Sequence, residues 1–285
     1  MIKIGIIGGG FVGQATYLLN CKDIECKIYD IDKTKCVPTD VKLKDFEDCD
    51  IIFICVPTPM KSDRSCHTGI VEAVIKQIRE ELPTQNNIVV RSTVPVGFCE
   101  KNKVHFMPEF LTESNWQEDF YECNNWIVGI NEEVSGHQEL TDLFFKNLFI
   151  TAQKNNVVYN THVTIMSPSE AEMVKYVRNT FLATKVSFFN EIYNFCGASS
   201  VSYEKIIRQV CNDKRIGGSH SKVPGPDGKR GFGGTCLPKD ANSLQQQFIQ
   251  KNVDCPILAA VVRRNEEIDR PELDWMEDKG RAFIE

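Results

Sequence analysis

The chain has 285 residues, 42% of them hydrophobic, the composition of a globular protein long enough for one large domain or two medium ones. A formal charge of −6 offers no basic stripe to nucleic acid or an anionic membrane surface, although a few local cations could hold a small anionic substrate. No apolar run approaches the roughly 20 residues of a membrane helix, and no charged leader, apolar core or cleavage site of a secretory signal follows Met1.

A short buried strand is expected over residues 2–7. Gly8-Gly9-Gly10-Phe11-Val12-Gly13 follows at once, then a helix over 14–20 and a second strand, Cys26-Lys27-Ile28-Tyr29, ending on Asp30. This order of strand, G-x-G-x-x-G, helix, strand and acid describes a dinucleotide site. Gly8 makes the tight turn, Gly10 lets the backbone approach a pyrophosphate, and Gly13 permits close helix–strand packing. Phe11 and Val12 complete the loop, and the helix N-terminus offers N–H groups and a positive dipole end to the phosphates. Asp30 would accept hydrogen bonds from the adenosine ribose. With Asp32 nearby and no arginine in the stretch, a 2′-phosphate is repelled, so the expected cofactor is NAD. A glycine turn in some other sheet is the plainer alternative, and it does not explain why helix, strand and acid all fall in place.

The α/β alternation continues. Residues 50–56 read as a buried parallel strand stopped by Pro57-Thr58-Pro59, residues 68–82 as a helix, and residues 87–93 as a strand stopped by Val94-Pro95. Later strands are expected at 103–107 and 126–130. Ligands of doubly wound sheets sit outside the carboxyl ends of the strands, which places Val56, Pro57, Thr58, Thr93 and Glu109 on one rim. Alone, Pro57-Thr58-Pro59 is also a plain strand-terminating turn. The expected fold class is α/β: a Rossmann-like doubly wound sheet over 1–160, then a long helix opening a mainly helical dimerisation domain over 161–285.

That helix is expected from Ser167 to Phe195, with Ser169 and Glu172 as a capping box. Lys175 and Asn179, at i and i+4, share one face; spacing by itself favours a solvated face. Twelve cysteines include no Cys-x-x-Cys pair, and no metal site is expected. Several stand in apolar strand text, as Cys55 does, where cysteine serves as a small hydrophobe in a reducing, cytosol-like compartment. A cysteine taken at random is therefore core filler. Cys236 differs, because it lies in a long glycine-rich segment over 212–240, within Gly231-Phe232-Gly233-Gly234-Thr235-Cys236, and precedes Lys239-Asp240 and a helix over 242–250. Loops of that length in compact domains are usually functional or disordered, and a cysteine, a lysine and an aspartate immediately before a helix argue for the former. A helix N-terminus and a nearby lysine favour the thiolate.

Taken in order, these segments resemble the UDP-glucose/GDP-mannose dehydrogenase family. The resemblance rests on Gly8–Gly13 with Asp30, Val56-Pro57-Thr58-Pro59, Ser92-Thr93-Val94-Pro95-Val96-Gly97, Pro108-Glu109-Phe110-Leu111 with Glu113, Glu172 with Lys175 and Asn179, Asn190-Glu191, Arg215-Ile216-Gly217, and Gly231–Cys236 through Lys239-Asp240. It implies an NAD-dependent oxidation of a nucleotide sugar, UDP-glucose first among candidates, in two hydride transfers. By the same resemblance Cys236 traps the intermediate aldehyde, and Lys175 and Asn179 stabilise the oxyanion. Asp240, Glu109 and Thr93 handle a water, and Lys239 lies at the cofactor edge. Glu109, Phe110, Leu111, Glu113, Phe232 and Gly233 border the sugar. Arg215 reaches a neighbouring subunit's substrate, so a cytoplasmic homodimer is expected.

The sequence departs from the family in three places. Members continue into a third, nucleotide-holding domain, the loop between Arg215 and Gly231 is longer than usual, and Asn125 replaces a customary arginine. Three other readings stay open: the same chemistry on another nucleotide sugar, a non-catalytic binding relic, and a 3-hydroxyacid-type dehydrogenase that shares the architecture and needs no cysteine.

Overall fold

The structure, a computed structural model, describes residues 1–134 and 141–285. It contains two compact units, Met1–Thr58 with Thr68–Lys175, and Pro59–His67 with Tyr176–Glu285.

The first unit is built on a seven-stranded sheet. Its strands are β1 (Ile2–Ile7), β2 (Ile24–Tyr29), β3 (Ile51–Ile54), β4 (Ile88–Val90), β5 (His105–Phe106), β6 (Trp126–Gly129) and β7 (Val163–Met166), in the order β2-β1-β3-β4-β5-β6-β7. Only the β5–β6 pair is antiparallel. The connecting helices are α1 (Phe11–Tyr17), α2 (Gly69–Glu81), α3 (Phe98–Lys101), α4 (Trp116–Tyr121) and α5 (Asp142–Lys154). The inner strands are buried on both faces and so read as unbroken apolar runs. Alternate residues part to the two sides. Ile4, Ile6, Phe53 and Val89 join Phe145, Leu148 and Phe149 of α5, whereas Ile7, Ile52, Ile54 and Val90 join Val71, Ile75 and Ile78 of α2. The order in which successive strands are laid down reverses between β1 and β3, and that switch point fixes where a ligand can lie.

The second unit is helical. It takes up α6 (Pro168–Ala198) from Tyr176 onward, then α7 (Tyr203–Val210), α8 (Leu237–Gln250) and α9 (Pro256–Arg264). Phe189, Cys196, Tyr203 and Val223 form its small core, and Tyr176 and Ser243 join α6 to α8 through a 2.9 Å hydroxyl–hydroxyl bond. Met60 and Cys66 bridge the 59–67 segment into a hairpin. Among the described residues no helix is long and apolar enough to cross a membrane.

The doubly wound sheet appears where the sequence places it; α1 starts at Phe11, three residues before the expected helix, and three further local features differ. β7 is a strand the sequence does not announce, because its four half-buried residues carry no strong pattern. The capping box at the start of α6 is formed by Ser167 and Glu170 instead of Ser169 and Glu172: Ser167 N–H donates to Glu170 Oε2 at 2.8 Å, and Glu170 N–H to Ser167 Oγ at 3.3 Å. Pro168 explains the shift, since its fixed φ suits the first helical position. α8 begins five residues earlier than the sequence suggests, with Pro238 in its first turn and Cys236 itself at the N-cap.

Candidate active-site residues

In the first unit, β1 runs straight into the glycine loop and α1 starts directly after Gly10. A Cβ on Gly13 would lie 1.9 Å from the Gly8 carbonyl oxygen, so no other residue lets α1 approach β1 this closely. A Cβ on Gly10 would meet no protein atom within 4 Å; the space in front of the loop is open. Gly8 N–H donates to the Tyr29 carbonyl at 2.9 Å, and Gly10 caps α1 without a side-chain hydrogen bond, which leaves the first N–H groups of α1 for an anion. Asp30 is held at the end of β2 by two backbone donors, Gly9 N–H at 2.6 Å and Asp32 N–H at 2.8 Å. Open space, N–H donors and a fixed carboxylate fit an adenine dinucleotide with a free 2′-hydroxyl.

Thr58, Thr93 and Glu109 follow β3, β4 and β5, parallel neighbours, so all three stand at the same end of the sheet and all are buried. Ser92 ties two of these loops by donating to the Val56 carbonyl at 2.6 Å. Lys175 on α6 is also buried. Its ammonium donates to Glu109 Oε1 and to the Glu109 backbone carbonyl, both at 2.6 Å, and lies 5.6 Å from the centroid of the Phe110 ring. Glu109 Oε2 accepts from Leu111 N–H at 2.9 Å. Leu111 is half-buried and Glu113 exposed.

In the second unit Cys236 is half-buried at the N-cap of α8, with the Thr235 hydroxyl 3.7 Å from its sulfur. One turn on, Lys239 and Asp240 are buried and paired at 2.5 Å, and Asn179 donates to the other Asp240 oxygen at 2.5 Å. Burial opposes the Lys239 charge, but Asp240, with the Cys66 and Cys236 thiols, outweighs it and holds the ammonium above its ordinary pKa. Phe232 is buried and Gly233 half-buried. Arg215 stands apart: its side chain is 89% exposed and pairs with Asp213.

The other thiols provide the contrast. None of the twelve cysteines is in a disulfide. Burial pushes Cys55 up to about 11 and Cys49 up to about 12, and drives Cys99 well above the ordinary thiol range. Cys55 and Cys99 are the buried core thiols that composition suggests, whereas Cys236 stands half-buried at a helix N-cap. Lys175 and Asn179, one turn apart on α6, are both buried, so the solvated-face alternative does not hold.

Other residues carry weight that the sequence assigns to a different role or does not signal. Glu172 is fully buried, and its two carboxylate oxygens accept from Gly97 N–H at 2.6 Å and Cys99 N–H at 2.8 Å, which anchors the loop after β4. Asn265 and Arg270 hold the loop that leads to Cys236. Their contacts in that loop, Phe232 and Gly233, are more than thirty residues away in sequence, which no local motif reveals.

Comparisons with known proteins match two domains of one family. Residues 36–148 match the NAD binding domain of the UDP-glucose/GDP-mannose dehydrogenase family, and residues 169–267 match that family's central domain. A UDP-glucose 6-dehydrogenase from Pseudomonas aeruginosa is 34% identical over 235 residues, which are 76% of this chain and 49% of that protein. A UDP-glucose dehydrogenase structure from Pyrobaculum islandicum matches with a TM-score of 0.77 at 24% identity, over 98% of this chain and 71% of that one. A GDP-mannose dehydrogenase structure from Pseudomonas aeruginosa matches with a TM-score of 0.63 at 26% identity, over 92% and 68%. The chain spans about half the length of the curated relatives it matches.

Proposed function

The chain belongs to the UDP-glucose/GDP-mannose dehydrogenase family, and on that premise we propose that it oxidises the primary alcohol of a nucleotide sugar to a carboxylate, with UDP-glucose as the first candidate. The observation that carries the proposal is the position of Cys236: a half-buried thiol at the N-cap of a 14-residue helix, followed one turn on by the buried Lys239–Asp240 pair. A helix N-terminus and a nearby ammonium stabilise a thiolate.

NAD, when bound, takes up a hydride at each oxidation. The chain's own residues do the rest. The glycine loop and Asp30 hold the dinucleotide. The Cys236 thiolate adds to the aldehyde carbonyl left by the first oxidation, giving a thiohemiacetal that cannot diffuse away. Loss of a second hydride turns it into a thioester, and water cleaves the C–S bond, releasing the carboxylate and restoring the thiol. Lys175 and Asn179 are assigned to the oxyanion, where one good donor is worth about 3–4 kcal/mol. Asp240, Glu109 and Thr93 are assigned to the water and its protons. Phe110, Leu111, Glu113, Phe232 and Gly233 are assigned to the sugar, and Lys239 to the cofactor edge.

A homodimer fits the exposed face of α6. Val177, Phe181, Phe188 and Phe195 are 51–68% exposed, and the three phenylalanines recur every seven residues, on one stripe of the helix. A stripe of that kind needs a cover, and a second copy with Arg215 reaching across supplies one. Twelve unpaired-by-disulfide thiols suit the cytoplasm. The test is NADH formation by the protein on a panel of UDP-glucose, UDP-N-acetyl sugars and GDP-mannose. Turnover on one of them is expected, and NAD binding without reduction by any of them would leave the binding-relic reading in its place.

A further inference from the structure

Helix α9 loses its regular pitch after Arg264. Residues Asn265–Asp269 form a single π-helical turn, a local widening that recurs at functional sites. In this chain the widened turn and the residue after it spread four polar side chains over different segments of the second unit. Asn265, fully buried, brackets Phe232: its Oδ1 accepts from Phe232 N–H at 2.7 Å and its Nδ2 donates to the Phe232 carbonyl at 2.9 Å. Glu266 accepts from Arg64 of the 59–67 hairpin at 2.5 Å and from Asn242 of α8 at 3.2 Å. Asp269 accepts from Arg230 at 2.8 Å and from Arg264 at 3.2 Å. Arg270 pairs with Asp227 and Asp274, both at 2.7 Å, and lies so close under Gly233 that a Cβ there would stand 2.3 Å from its Cζ.

We propose that this π turn sets the position of the Cys236 thiol, with Asn265 as the central positioning residue. The inference rests on Cys236 being the reacting thiol. The segment that delivers it, Gly231-Phe232-Gly233-Gly234, has three glycines and little intrinsic order, so its register must come from outside. Asn265 supplies that register by satisfying both backbone groups of Phe232, four residues before the thiol. Glu266, through Asn242, holds the first turns of α8 on the other side. Only a carboxamide can do what Asn265 does: aspartate accepts but cannot donate, and an alkyl chain leaves two buried backbone groups without partners. Arg270 then closes the loop from below, where a shorter cation would leave a gap under Gly233.

The test uses the full chain and compares wild type, Asn265→Asp and Arg270→Lys. Each is treated with iodoacetamide at pH 7, and alkylation at Cys236 is followed by peptide mass mapping. Thermal unfolding and far-UV circular dichroism of the same samples are the control for folding, and NAD affinity is measured beside them. Asn265→Asp is expected to keep NAD affinity within about twofold and to slow Cys236 alkylation by about tenfold, the scale of one buried hydrogen bond lost. On a turned-over nucleotide sugar it should lower kcat, referred to the concentration of folded protein in the sample, with the KM for NAD unchanged; general destabilisation would lower the folded fraction and leave kcat per folded chain unchanged. Should Asn265→Asp fail to fold, Arg270→Lys reads the same loop, with a smaller slowing expected. A folded variant whose Cys236 reacts at the wild-type rate overturns the proposal. Alkylation does not require turnover, so this result stays separate from failure of the dehydrogenase reading, which would show as NAD binding without reduction in wild type.

Discussion

The Lys175 ammonium lies 2.6 Å from a Glu109 carboxylate oxygen, with both side chains at most 6% exposed. One member comes from α6 and the other from the loop after β5, so the pair fastens the start of the long helix to the rim of the sheet. Removing one partner leaves the other charge buried alone, which costs about 3–5 kcal/mol. Lys175→Met is therefore expected to destabilise the chain by that amount in urea unfolding, and to lower turnover by at least about a hundredfold if the ammonium also faces the oxyanion. The double variant Lys175→Met with Glu109→Leu should be less destabilised than the two single changes added together. Strict additivity would show that the pair is not coupled.

Two glycines of the nucleotide loop should separate binding from folding. Gly10→Ala adds a methyl group that meets no protein atom within 4 Å, so thermal stability should hold while NAD affinity falls by about tenfold, the cost of pushing a tightly approached phosphate outward. Gly13→Ala drives a methyl into the Gly8 carbonyl and should cost about 3 kcal/mol of stability before binding is considered. Equal effects of the two changes on calorimetric stability would contradict the assignment.

Two buried groups of the first unit titrate in opposite senses. Burial lowers His105 from 6.5 to about 4, so on acidification the unfolded chain takes up a proton that the folded chain refuses, and stability is lost from pH 6.5 down to pH 4. Burial raises Glu172 from 4.5 to about 7, against its two N–H donors. Its contribution is present below pH 4.5 and is lost as pH rises through 7. Between pH 7 and 4.5 each changes stability by about 2 kcal/mol, in opposite directions. Relative to wild type, His105→Gln should gain stability on acidification and Glu172→Gln should lose it. Denaturant unfolding at the two pH values checks both, and parallel slopes in all three proteins would rule the assignment out.

The phenylalanine stripe of α6 predicts a change of assembly. Phe188, 57% exposed, sits at the middle of the stripe, so Phe188→Glu should convert a sedimenting dimer to monomer without weakening NAD binding. Wild type sedimenting as a monomer at micromolar concentration would remove the dimer from the account.

What the sequence revealed follows from where the physics is local. Gly13 and Asp30 were legible because a glycine forced by a 1.9 Å approach and an acid ending a strand belong to one contiguous unit. The rim residues Thr58, Thr93 and Glu109 were legible because each directly follows an apolar strand. The spacing of Lys175 and Asn179 put them on one face of a helix, but periodicity does not say which face is covered, and their burial became visible only with their partners Glu109 and Asp240. Glu172 was misread as a cap because Pro168 moves the helix start and frees its carboxylate for Gly97 and Cys99. Asn265 was silent: an asparagine after Val-Val-Arg-Arg gains meaning only from Phe232, thirty-three positions earlier.

The most direct test of the central claim is the stoichiometry of NADH formed per nucleotide sugar consumed, in wild type and in Cys236→Ser. Two NADH and one uronate per sugar are expected in wild type, and no uronate from the serine variant, whose weaker nucleophile cannot hold the aldehyde as an adduct for the second oxidation. A serine variant that forms the acid at the wild-type rate would contradict the role given to Cys236.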